Sequence, residues 1–130
     1  MRFRNFLWAL AVAIAELSVI GQGRGGEADV IAAKATLLAD GRWQVEATIR
    51  HDDAGWDHYA DRFDVLAPDG TLLAERVLLH PHVEEQPFTR TTEPFAIPEG
   101  LAEVRVRAHD SVHETGGAEV TVALPVRPGE

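Results

Sequence analysis

The chain has 130 residues, 45% of them apolar and 25% charged, enough for one small domain with its own core. Its net charge of −9 argues against nucleic acid and anionic membrane surfaces as partners, because both select basic patches. It contains no cysteine, which excludes disulfides, thiolate metal sites, thiol nucleophiles and covalent haem attachment.

Met1-Arg2-Phe3-Arg4-Asn5 is a short basic start. The apolar run Phe6–Ala15 follows and has the length of a signal-peptide core. It is short for a bilayer span, and Glu16 interrupts it. Ala13-Ile14-Ala15 and Gly21-Gln22-Gly23 both offer small-residue cleavage sites. The expected organisation is a signal peptide over 1–23 and one domain over 24–130. That implies a periplasmic or secreted protein with no stable membrane insertion once the signal is removed. An uncleaved anchor is the alternative.

From Asp29 the chain reads as strands and turns. Val30–Leu38 predicts a first strand, although its alanines also permit a helix, and Asp40-Gly41 predicts a hairpin turn. Trp43, Val45, Ala47 and Ile49 alternate with Gln44, Glu46, Thr48 and Arg50, the pattern of a half-buried strand. His51 falls in phase with the apolar face. Asp52–His58 is a polar loop in which Trp56 and Tyr59 are expected to plug the end of the domain; a ligand- or partner-binding loop is the alternative. Tyr59–Ala67 predicts a third strand, closed by the Pro68-Asp69-Gly70 turn. Leu72–His80 predicts a fourth, leucine-rich and expected to be buried on much of both faces. Phe88–Ile97, Leu101–Asp110 and Ala118–Leu124 complete the set.

Seven short strands with no convincing helix after residue 23 predict an all-β, seven-stranded antiparallel sandwich. The run Val104-Arg105-Val106-Arg107-Ala108-His109-Asp110-Ser111, followed by a glycine-bearing loop and Val120-Thr121-Val122, resembles the last two strands of fibronectin type III and related immunoglobulin-like domains. The resemblance implies an immunoglobulin-like sandwich. It covers only the end of the chain, and the Cys-Trp-Cys pattern of true immunoglobulin domains is absent. It transfers no functional residues.

The order of the strands places the histidines. If strands run up and down, the second, fourth and sixth connections lie at one pole. His51 and His58 flank the second, His80 and His82 open the fourth, and His109 and His113 lie at the sixth. Imidazoles from several loops on a rigid scaffold are what copper(II) or zinc would require. His80, His82, His58 and His113 lead as ligands. His51 comes next, since a strand end holds it. His109 is weaker, because it shares the outward phase of Arg105 and Arg107. Asp52, Asp53, Asp57, Asp110 and Glu114 could ligate or orient the rings. An alternative is a calcium site among the loop aspartates, but the regular twelve-residue calcium loop is missing.

The expected function is a metal-binding, exported domain holding copper or zinc. The alternative is a module of the same fold that binds a protein or a carbohydrate. A small metalloenzyme with the same ligands is the third reading. Ser111 near Asp110 and His113 is not triad geometry, and there is no nucleophile elbow.

Overall fold

A computed structural model describes residues 26–125 and, as backbone only, two short segments at 12–13 and 15–16. The expected signal peptide lies outside the described residues except for those two segments. They form the two-residue strands β1 (Val12–Ala13) and β2 (Ala15–Glu16). The body comprises β3 (Asp29–Leu37), β4 (Trp43–Arg50), β5 (Ala60–Leu66), β6 (Leu72–Val77), β7 (Phe88–Thr91), β8 (Glu103–Asp110) and β9 (Val120–Ala123). All pairings are antiparallel, and the described residues include no helix. One sheet has the order β1-β3-β4-β7 and the other β2-β9-β8-β5-β6.

Alternation drives the packing. On β4 the side chains of Trp43, Val45, Ala47 and Ile49 are buried, and the residues between them are half-buried. On β8 the buried row is Val104, Val106 and Ala108. The two rows meet in one core with Phe63, Val65, Val120 and Val122. Both rows end in a buried polar residue. His51 follows Ile49 in phase, and Asp110 follows Ala108 in phase. One comes from each sheet, so the parity of two strands points both into the same end of the sandwich.

Three expectations need correction. The fourth predicted strand is not buried on both faces: β6 is the edge of its sheet, with Leu72 and Val77 about half exposed. It has a neighbour on one side only, and of its apolar residues Leu73 and Ala74 pack against the core while remaining partly exposed. The fifth predicted strand stops at Thr91, and a single bridge from Trp43 to Phe95 resumes the pairing. Pro94 has no N–H to give the ladder between them. Trp56 plugs nothing. It is 67% exposed and meets Tyr59 edge to face, with ring centroids 5.6 Å apart.

Candidate metal centre

His51, His58 and Asp110 offer ligand atoms that all lie within 4.8 Å of one another. Asp110 is the hub. Its Oδ2 lies 3.0 Å from His51 Nε2, 3.0 Å from His58 Nε2 and 3.1 Å from His113 Nδ1. Its Oδ1 accepts the backbone N–H groups of Val112, at 2.9 Å, and His113. One carboxylate thus shapes the loop after β8 with one oxygen and gathers three rings with the other. Burial pushes the Asp110 carboxyl up. The N–H donors of His113, His58 and Val112 outweigh that and hold it well below the usual carboxylate range.

The backbone completes the cluster. The Gly26 carbonyl oxygen lies 2.6 Å from His51 Nε2 and 3.2 Å from His58 Nε2. A Cβ on Gly26 would fall 2.4 Å from Cε1 of both His58 and His113, so only glycine fits there without displacing the rings. The rings pack in series: His51 to His58 and His58 to His113 are each 4.8 Å between centroids.

His51 decides what this arrangement can do. Its Nδ1 lies 2.5 Å from Asp53 Oδ1, and its Nε2 faces Asp110 Oδ2 and the Gly26 carbonyl. With both carboxylates ionised, every partner is an acceptor. A neutral imidazole has a single N–H and would aim a lone pair at oxygen. Two states remove that conflict: a doubly protonated ring, or a cation between Nε2 and the oxygens. In the second, Asp53 accepts the Nδ1–H and orients the ring, the usual carboxylate–histidine–metal arrangement. Two ligands of a tetrahedral zinc ion stand about 3.3–3.4 Å apart, given bonds of about 2.0–2.1 Å. The group therefore fits a metal after side-chain shifts of under about 1 Å.

Asp53 carries the second half of the pole. Its Oδ1 also accepts the Ala60 N–H at 3.0 Å, and its Oδ2 accepts the His82 N–H at 2.6 Å. His82 reaches the cluster only by way of Asp53, with its Nδ1 4.0 Å from Asp53 Oδ2. Its ring stacks on Phe88 at 3.9 Å and lies 4.6 Å from the His80 ring. Arg90 donates to His82 Nε2 at 3.1 Å, which occupies that lone pair. His80 is exposed, and its Nδ1 turns back to the Pro81 carbonyl at 3.0 Å. Gln86 fastens this loop, accepting the His51 N–H at 2.9 Å and donating to the His82 carbonyl at 3.0 Å.

The predicted ligands thus fall into two groups. His51, His58 and His113 converge, and His80 and His82 form an adjoining pair. His109 pairs with Asp61 at 2.6 Å instead. Two members were missed as leading candidates. Asp110 could have been found from parity, since it continues the row Val104, Val106, Ala108. The Gly26 carbonyl has no signal in a side-chain sequence. Asp53, named among the carboxylates that could ligate or orient the rings, meets His51 Nδ1 with Oδ1 and also accepts the Ala60 and His82 N–H groups.

The chain is 43% identical over 98 residues to a protein of Halomicrobium mukohataei described as "Putative lipoprotein". The match takes in 74% of this chain and 47% of that protein, so the chain spans about half the length of its relative. No family model matches the chain, and no solved structure matches it. Among the described residues no helix is long and apolar enough to cross a membrane.

Proposed function

We propose that this is an exported, immunoglobulin-like domain that binds a transition metal, zinc or copper(II), at the end of its sandwich. His51 Nε2, His58 Nε2 and Asp110 Oδ2 are the ligands. His113 Nδ1 and the Gly26 carbonyl stand ready beside them, and Asp53 orients His51. The observation that carries this reading is the His51 ring, which has acceptors on both nitrogens. A divalent ion at Nε2 turns the lone pair from a conflict into a bond. Nitrogen and carboxylate donors without sulfur suit zinc and copper(II).

The strand order β3-β4-β7 against β9-β8-β5-β6 supports the immunoglobulin-like class. Export draws support from the basic and apolar start of the chain and from the relative described as "Putative lipoprotein". Lipid attachment through cysteine has no acceptor within these 130 residues. Periplasmic and secreted locations are both consistent with this support.

Calorimetric titration of the untagged, metal-stripped protein with zinc and copper(II) tests the reading. One ion per chain is expected, lost in both His51→Ala and Asp110→Asn. A wild-type protein that takes up neither ion overturns it. The doubly protonated His51 would then be a structural ion between Asp53 and Asp110. The domain would fall to the second reading, an interaction module, which the exposed Trp56 on the loop between His51 and His58 favours.

A further inference from the structure

The three imidazoles at the cluster are held very differently. The His51 side chain is 0% exposed and is pinned at both nitrogens. The His58 side chain is 25% exposed and that of His113 is 39% exposed. Solvent therefore reaches the cluster from the His58–His113 side, and the core closes it from the His51 side.

The loop that carries His113 does not depend on the His113 ring. Asp110 N–H donates to the Glu114 carbonyl at 2.9 Å, and Glu114 N–H to the Asp110 carbonyl at 3.1 Å. Asp110 Oδ1 holds the Val112 and His113 N–H groups inside that closed turn. Glu114 completes it in the left-handed region, with φ +64°. All of these bonds are made by backbone groups and by the Asp110 oxygen that faces away from the cluster. The ring can swing off Asp110 Oδ2 while its backbone stays in place.

The apolar core is extensive in its own right. Trp43, Phe63, Phe88 and the valines of β4, β5, β8 and β9 all belong to it. A metal that staples a small domain together replaces a core; here the core is already present.

Building on the metal-binding reading above, we infer that His113 is the exchange ligand of the site, and that the metal is cargo passed in and out on its side. His51 and Asp110 form the fixed seat. His113 closes over the ion once it is seated. When the ring leaves, one coordination position opens towards solvent, where a competing nitrogen or oxygen donor can attach before the seat lets go.

Cobalt(II) is the probe, because its visible absorption reports coordination and it can replace zinc at nitrogen and oxygen sites. The wild-type protein, His113→Ala and His51→Ala are each loaded, then challenged with EDTA in a stopped-flow instrument. His113→Ala is expected to keep one ion per chain with a changed spectrum. It should bind about 10-fold or more weakly and lose the ion to EDTA correspondingly faster. His51→Ala is expected to hold none. The inference is overturned if His113→Ala matches the wild type in spectrum and release rate, or if it loses the ion as completely as His51→Ala does. Circular dichroism confirms that each variant keeps its strands. A wild-type protein that takes up no cobalt and no zinc sinks the metal reading itself, a different result from either of those.

Discussion

Asp53 and Asp110 are carboxylates at the end of an apolar core, and each is held by more donors than a single salt bridge would supply. Asp53 receives His51, the Ala60 N–H and the His82 N–H. Buried carboxylates persist when their lone pairs are filled in this way. His82 beside them is the opposite case. Burial, then the positive charges of Arg90 and His80, push its imidazole below the ordinary histidine value. The folded protein therefore prefers His82 neutral, whereas the unfolded chain takes up its proton at the ordinary value. The resulting stability is complete above about pH 6.5 and declines as the pH falls through that value towards the lower folded pKa. Urea midpoints at about pH 7.5 and about pH 5.5 check this. The wild type should lose more between the two than His82→Gln; equal losses would show that His82 contributes nothing to the slope.

At the scale of elements, the joint between the two sheets beside the cluster is the segment from Gly26 to Val30 against the start of β9. Ala118 N–H donates to Asp29 Oδ1 at 2.8 Å, and Val30 N–H to the Ala118 carbonyl at 2.9 Å. Gly117 permits this approach, since a Cβ there would lie 2.0 Å from the Ala28 carbonyl oxygen. Backbone cannot yield as a flexible side chain does. Gly117→Ala is expected to cost about 1–3 kcal/mol in urea unfolding, the range for forcing atoms into a packed site. It should also weaken metal binding, because the displaced segment before β3 carries the Gly26 carbonyl. A variant as stable as the wild type would mean that the joint is soft. The far edge behaves differently. β6 is exposed, and its cross-strand register places Arg76 opposite the buried Phe63. A charge turned inward on an edge strand discourages pairing with another sheet.

For the whole molecule, the core and the site make separate contributions. Stripped protein is expected to keep its strands and unfold cooperatively, because the apolar rows of both sheets already meet. Metal then adds stability by mass action, about 2.7 kcal/mol at a free ion concentration of roughly 100 times Kd. Thermal melts with and without zinc measure it, and His51→Ala should show no such gain. A stripped protein that is unfolded would assign the metal a structural role instead. The acidic balance of the chain acts at this scale too, favouring cations near a pole rich in imidazole and carboxylate.

How much of this was legible beforehand depends on the kind of interaction. Alternation along Trp43–Ile49 and Val104–Ala108 is local, so the sheet faces, the antiparallel strands and the inward phase of His51 could be read from the chain alone. So could the gathering of histidine loops at one pole, because up-and-down connectivity follows from strand order. Burial of a strand such as β6 could not, since leucines read alike at an edge and in the middle of a sheet; only the number of neighbours distinguishes them. Nor could the division of the histidines. His82 is engaged by Arg90 on β7 and by Asp53 across the loop, and those partners meet only when the sheets stack. The residues by themselves determined which groups stand at the end of the sandwich. Tertiary structure decided which of them share an oxygen, because a convergence of nitrogens on Asp110 Oδ2 and the Gly26 carbonyl depends on ångström-scale distances between separate strands, and no periodicity in the chain encodes those.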